Sequence, residues 1–178
     1  MEASERYDST TIALHWAVAV LVACQWISGQ TIDWFAKGAP RVDARSVHLV
    51  IGALLILAMG LRLWWRLGPG RKLSPANGGV WDLAARGLQG LLYLVVVAVL
   101  VGGVTTELLR GDNFFGLLQL PRPGDIAAPA RHALSEQIGS LHGLGANTLL
   151  VLAGLHAAAA LFHHYVLKDG VLRRMLRP

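Results

Sequence analysis

Charged residues and cysteines are both scarce in this chain. Only 15% of its 178 residues are charged, and Cys24 is its single cysteine. A lone cysteine excludes an intrachain disulfide framework, so we expect Cys24 to pack as a small apolar side chain. The apolar residues, in contrast, make up 54% of the chain, and the mean hydropathy is +0.48. This balance excludes an ordinary soluble domain.

The apolar residues cluster in four stretches. Each is close to the length of about 20 residues that a helix needs to cross the hydrocarbon core of a bilayer. Because unpaired backbone groups are prohibitive in lipid, an open sheet is excluded. We therefore predict an all-α integral membrane four-helix bundle that forms one domain over residues 1–178. The predicted spans are Thr11–Gly29, Val47–Leu67, Leu88–Leu109 and Leu141–Leu167.

The basic residues predict an orientation in the membrane. The first ten residues carry three acidic residues and one arginine rather than a basic run, so we expect no signal peptide and a retained first span. With both termini in the cytoplasm, ten Lys and Arg lie inside and six outside, as the positive-inside rule favours. Anionic lipid headgroups suffice as partners for the inner residues, so the net charge of +5 does not require nucleic acid. The inner set is Arg6, Arg62, Arg66, Arg71, Lys72, Arg86, Lys168, Arg173, Arg174 and Arg177.

Four of the six histidines in the predicted spans form a pattern at two depths. His142 and His156 are fourteen residues apart, which places them about 40° apart around a helix and about 21 Å apart along it. His15 lies early in the first span and His48 early in the second. In the predicted topology, His15 and His156 share the cytoplasmic side, and His48 and His142 share the periplasmic side. An ionisable side chain within a membrane is by default a candidate functional residue.

This arrangement predicts two metal centres stacked across the membrane. A bis-histidine haem iron needs two imidazoles on facing helices, and helix bundles build cofactor sites from such inward-facing side chains. The pairs are then His15 with His156 and His48 with His142. Each histidine taken alone is also compatible with a hydrogen bond across helices. Zinc or iron bound as free ions is a further alternative, but structural zinc prefers four close ligands, often including Cys.

Small residues near the histidines are compatible with a bulky flat cofactor. Gly52 lies four residues after His48, about 40° away on the same helical face, and could leave room for a ring. The alternative is that Gly and Ala simply allow membrane helices to approach one another closely.

The sequences around these histidines identify a family resemblance. "ALHW" surrounds His15, "VHLVIG" His48, "LHGLGAN" His142 and "GLHAAAALFHHYVLKD" His156. Over nearly its whole length the chain resembles the bacterial cytochrome b561 family of inner-membrane proteins. The resemblance implies two haem b groups, with His15, His156, His48 and His142 as axial ligands. Within the family, the layout is most similar to members that oxidise superoxide and reduce ubiquinone. One departure is Gln89, where the family often has a histidine four residues before a tyrosine.

Two haems at two depths predict electron transfer across the membrane, with a substrate at each end. His163 lies seven residues after His156, only about 20° away on the helix, and could donate a hydrogen bond or a proton to a quinone. Arg62, at the end of the second span, could bind an anionic group of the cofactor. At the periplasmic end, Arg45 and Arg131 could attract superoxide, with Arg41 as a third candidate.

Three functions remain open at this point. The first is an oxidoreductase of the bacterial inner membrane that passes electrons from superoxide to ubiquinone. The second is a quinol-linked cytochrome b that reduces a periplasmic redox partner, for which the same histidines are needed. The third is a haem-binding or structural membrane protein without enzymatic activity.

Overall fold

The computed structural model describes residues 6–73, 79–124 and 126–176. Residues 1–5, which contribute to the argument on a signal peptide, lie outside these ranges. Arg177, one of the expected inner basic residues, lies outside them as well.

Four long helices dominate the fold. They are α1 (Ser9–Thr31), α2 (Ala39–Leu67), α3 (Gly79–Arg110) and α4 (Ala128–Phe162). All four are long and apolar enough to cross a membrane. The predicted all-α membrane four-helix architecture is thus confirmed.

Short elements lie at the ends of these helices. A 3₁₀ turn, Ile32–Trp34, follows α1, and a π-helical turn, His163–Leu167, continues α4. A second 3₁₀ turn at Leu172–Met175 comes near the end of the chain. Between α3 and α4, the two-residue strands β1 (Asn113–Phe114) and β2 (Leu118–Gln119) pair antiparallel. The cofactor candidates therefore all lie on helices or on their immediate extensions.

Local sequence explains several helix ends. Pro40 and Pro129 lie in the first turns of α2 and α4, where the fixed φ of proline is helical and its missing N–H costs nothing. Gly111 ends α3 with a φ of 60°, and its N–H donates to the carbonyl of Glu107 at 2.8 Å. This left-handed conformation is the common way to terminate a helix, and glycine adopts it without strain.

Asp8 ties the start of α1 to the end of α2. Its carboxylate accepts hydrogen bonds from the backbone N–H and the hydroxyl of Thr11, from Nε1 of Trp65, and from the backbone N–H of Arg71. Burial opposes ionisation, but these hydrogen bonds prevail and hold the pKa of Asp8 well below its usual range. The carboxylate is therefore charged at neutral pH. Its contribution to stability is full above the pKa of the unfolded chain and is lost progressively as the pH falls from there through the lowered pKa.

The bundle consists of two helical hairpins. α1 packs mainly against α2, and α3 against α4, whereas α1 and α4 touch more sparsely. The core that joins the hairpins takes at least one residue from each helix: Val18, Leu55, Met59, Val96 and Leu149. Many other apolar side chains on the helices are exposed, as expected for surfaces that face lipid tails.

Candidate functional site

The structure brings four histidines together as two facing pairs, His15 with His156 and His48 with His142. The rings of His15 and His156 have centroids 6.3 Å apart and planes at 68°. The rings of His48 and His142 also have centroids 6.3 Å apart, with planes at 90°. Each pair bridges the two hairpins, since α4 provides one member and α1 or α2 the other. Along α4 the pairs are about 21 Å apart.

The spacing within each pair fits a single metal ion between two imidazoles. Two imidazole nitrogens that bind one ion from opposite sides, each at about 2 Å, put their ring centres roughly 6 Å apart. A haem would be held between the two imidazoles of such a pair, and its iron would be the metal ion that they bind. Within the described ranges, no three His, Cys, Asp or Glu side chains form a site for a free metal ion. The residues present therefore fit haem better than the zinc alternative.

Hydrogen bonds on His48 select the tautomer that can bind iron. Its Nδ1 lies 2.9 Å from the Ser28 hydroxyl. This hydroxyl itself donates to the main-chain carbonyl oxygen of Gln25 at 2.9 Å. Because Ser28 has one proton and gives it to Gln25, the Nδ1–H of His48 must be the donor to Ser28. Nε2 then carries a lone pair, and the side-chain amide of Gln25 donates to it at 2.9 Å.

The backbone selects the same tautomer for His142. Nδ1 of this residue lies 2.8 Å from the carbonyl oxygen of Val99 on α3. A carbonyl oxygen only accepts hydrogen bonds, so Nδ1 carries the proton and Nε2 the lone pair. His48 and His142 thus each carry an Nε2 lone pair that a metal ion can accept, but on His48 the Gln25 amide occupies it in this structure and would have to move aside.

Two glycines leave room for the rings of His48 and His142. A Cβ on Gly29 would lie 3.1 Å from Cε1 of His48, and a Cβ on Gly103 would lie 2.9 Å from Cε1 of His142. Any larger residue would push the ring away. Sequence reasoning overlooked both glycines because neither is near its histidine in the chain.

Gly52 lies next to Gln25, and Gln25 in turn contacts His48 of the candidate site. A Cβ on Gly52 would lie 3.0 Å from Nε2 of Gln25. The Oε1 atom of Gln25 is buried and has no hydrogen-bond partner within the ranges described. The space left by Gly52 therefore holds a side-chain amide that contacts His48. Gln25 and Ser28 are polar residues three apart in an apolar span, a signal that could have identified them.

The pair formed by His15 and His156 has a different environment. Nη2 of Arg62 lies 2.9 Å from Nδ1 of His15, and its guanidinium lies 5.4 Å from the ring centre of Tyr93. A guanidinium only donates, so Nδ1 of His15 accepts here. Iron binding at Nε2 of His15 requires a proton on Nδ1, and Arg62 would then need another acceptor, such as a haem carboxylate. The position of Arg62 suits it for this role.

His163 begins the π-helical turn after α4 and hydrogen-bonds through Nδ1 to the Asp169 carboxylate. The other oxygen of Asp169 accepts from the backbone N–H of Val171 at 3.1 Å. Lys168 has a left-handed φ of 54°, which turns the chain back so that Asp169 reaches His163. Sequence reasoning identified His163 but not Asp169, because a helical projection does not show that the chain turns back after His163.

The three outer arginines bind separate partners. Nη1 of Arg45 lies 2.6 Å from Oδ2 of Asp112, in an ion pair whose side chains are both largely buried. Arg131 donates to the carbonyl oxygen of Ile126 at 3.5 Å, a long hydrogen bond. Arg41 pairs with an aspartate of the turn that follows α1. The charge of Arg45 is thus partly neutralised by a loop residue that the sequence did not single out.

The chain is similar to known proteins along nearly its full length. Residues 6–178 match the family model described as prokaryotic cytochrome b561. Cytochrome b562 of Cereibacter sphaeroides is 34% identical over 178 residues, covering 97% of this chain and 96% of the relative. The probable superoxide oxidase CybB of Yersinia pestis is 30% identical, with coverage of 97% and 96%. Cytochrome b561 homolog 2 of Escherichia coli is 31% identical, with coverage of 97% and 92%. The chain therefore belongs to the prokaryotic cytochrome b561 family of membrane electron-transfer proteins, which bind haem b.

Proposed function

We propose that this protein is a di-haem oxidoreductase of the bacterial inner membrane that oxidises superoxide at the periplasmic face and reduces ubiquinone. Both termini lie in the cytoplasm. The observation that supports this proposal most is the presence of two facing histidine pairs at two depths, each with ring centres 6.3 Å apart. The choice of superoxide draws on the similarity to the probable superoxide oxidase of Yersinia pestis.

His15 with His156 would hold the inner haem, and His48 with His142 the outer one. When bound, each haem supplies an iron that takes up and releases single electrons. The chain orients the ligands through Ser28 and the Val99 carbonyl. Its apolar helices keep water away from both sites.

At the inner end, His163 and Asp169 would handle the protons of quinone reduction. The hydrogen bond that Nδ1 of His163 donates to the Asp169 carboxylate orients the imidazole, and such a pair can donate a proton to a quinone oxygen. A cavity of about 250 Å³ lies in the same segment and is lined in part by His164, Tyr165 and Lys168. The quinone ring would enter through this cavity, whose lining begins at the residue after His163.

The direct test is stopped-flow spectroscopy of the purified protein. Superoxide added to the oxidised protein should produce reduced haem b bands, and a soluble ubiquinone added afterwards should reverse them. A count of two haems per chain is also expected. Haems that stay oxidised with superoxide but are reduced by a quinol would overturn the proposal and support the quinol-linked carrier. A colourless preparation would show that the protein holds no haem and would support a structural membrane protein.

The Arg45–Asp112 ion pair gives a second test, because neutralising one residue or the other should change the rate of haem reduction by superoxide in opposite directions. Arg45→Gln should lower the second-order rate constant for haem reduction by superoxide about threefold to tenfold at low salt, because it removes an attracting charge. Asp112→Asn should raise that constant, because it removes the carboxylate that is ion-paired with Arg45. Both differences should shrink at high salt. Arg86→Gln, at the opposite end, is the control. Rates that change in the same direction in both outer variants would contradict steering by charge.

Ser28 should tune the outer haem. Ser28→Ala removes the acceptor for Nδ1–H of His48, which makes the imidazole a weaker electron donor to iron. We expect a higher midpoint potential for the outer haem and an unchanged inner haem in a potentiometric titration. Thr105→Val, which removes an exposed hydroxyl bonded to its own helix, is the control. Equal shifts in both haems would show that Ser28 acts on the whole fold instead.

A further inference from the structure

A second cavity at the inner end of the bundle is lined by positive charge. It has a volume of about 320 Å³ and lies between the start of α1, the end of α2, the segment that follows α2, and α3. Four cationic side chains contribute to its lining: Arg62, Arg66, Arg71 and Lys72. Arg62 contacts His15, and its proposed role is to bind a haem carboxylate. The other three have no part in the proposed electron transfer.

In the ranges that the structure describes, neighbouring carboxylates offset only part of the positive charge of this lining. Within the described ranges, Arg66, Arg71 and Lys72 form no ion pair. Asp8 is close in the fold, but its bonds to Trp65 and Arg71 come from an indole and a backbone N–H rather than from a cationic side chain. The cavity therefore favours an anionic ligand.

Tyr93 adds a hydrogen-bond donor to the cavity. The guanidinium of Arg66 lies 5.6 Å from the centre of its ring, and that of Arg62 lies on the ring as well. The Tyr93 hydroxyl is buried, and in the part of the chain that the structure describes it has no hydrogen-bond partner. A buried phenol usually finds an acceptor, and an anionic oxygen among these arginines would be one.

We propose that this cavity binds the phosphate group of an anionic phospholipid. Its position indicates a lipid rather than a free anion, because the same end of α2 has exposed apolar side chains. Trp64 is 63% exposed and Leu67 72% exposed, as expected where a helix leaves the hydrocarbon core and meets the headgroups. Arginine and lysine clusters at this depth recognise anionic headgroups. The proposal does not depend on superoxide or on ubiquinone.

Native mass spectrometry of the haem-loaded protein, with added phosphatidylglycerol or phosphatidylcholine, tests this site. The wild type should retain one phosphatidylglycerol in preference to phosphatidylcholine. Arg66→Gln should lower that affinity about tenfold, since a charge-assisted hydrogen bond is lost. Tyr93→Phe should weaken it less, without a change in charge. Arg86→Gln is the matched control at the same end of the bundle, and it should bind the lipid as the wild type does.

Three results would overturn the proposal. Equal losses in Arg66→Gln and Arg86→Gln would show a general effect of charge. Displacement of the lipid by millimolar inorganic phosphate would show a site for free phosphate. A lower haem content in Arg66→Gln, with lipid binding unchanged, would assign the cavity to the haem carboxylates. The haem spectrum of each sample also shows whether the variant is folded.

Discussion

His142→Ala should yield a protein with one haem instead of two. The substitution removes one of the two imidazoles of the outer pair, whose ring centres are 6.3 Å apart. His48 alone cannot hold a six-coordinate bis-histidine iron. The inner pair is about 21 Å away along α4 and is separated from the outer pair by the core around Leu149. The loss should therefore stay local, and His156→Ala should remove only the inner haem.

The measurement is the ratio of haem to protein in the purified variants, combined with low-temperature spectra that distinguish the two haems. His132→Ala removes an exposed histidine of the same helix and should retain both haems. If each ligand variant retained two haems, the axial assignments would be wrong. If both variants lost the same haem, the two histidines would share one site, and the pairing would be wrong.

The second large effect should come from His163→Ala. Loss of the imidazole should slow the oxidation of reduced haem by ubiquinone about 100-fold, a typical contribution of a positioned acid or base. Reduction by superoxide should be unchanged, because we propose that it takes place at the other end of the bundle. Asp169→Asn should have a smaller effect, about tenfold, because it leaves the imidazole in place but weakens its orientation.

Separate stopped-flow traces for the two half-reactions distinguish these effects. His132→Ala again serves as the control, since it removes a histidine outside both proposed sites. Slower superoxide oxidation in His163→Ala would indicate damage to the whole fold. An unchanged rate with quinone would place the quinone elsewhere. An Asp169→Asn defect larger than that of His163→Ala would make Asp169, rather than His163, the group that acts on the quinone.

The sequence was sufficient to predict the helices and to group the histidines by depth. Apolar runs of about 20 residues indicate spans, and the fourteen residues between His142 and His156 indicate two levels on one helix face. Hydropathy detects the part of a helix that lies in lipid and not the whole helix. For that reason the predicted span begins at Leu141, whereas α4 begins at Ala128. The first turns of α4 are too polar to be detected by hydropathy, but Pro129 and the Arg110–Glu136 ion pair favour the helix there.

The partners of the functional side chains could not be predicted in this way. The contact between Ser28 and His48 depends on how α1 is rotated against α2, which the apolar pattern of two lipid-exposed helices leaves open. The ion pair of Arg45 with Asp112 joins α2 to the loop after α3. Contacts of this kind depend on packing between distant segments, and only the three-dimensional structure shows them.

The placement of a ligand for each pair on α4 restricts how the length of this chain can change. One residue inserted between His142 and His156 would turn one imidazole about 100° away from its partner and shift it about 1.5 Å along the axis. Substitutions within this interval are compatible with both centres, whereas insertions and deletions are not. Changes in length should thus be tolerated in the connections between helices and not in the fourteen-residue interval on α4.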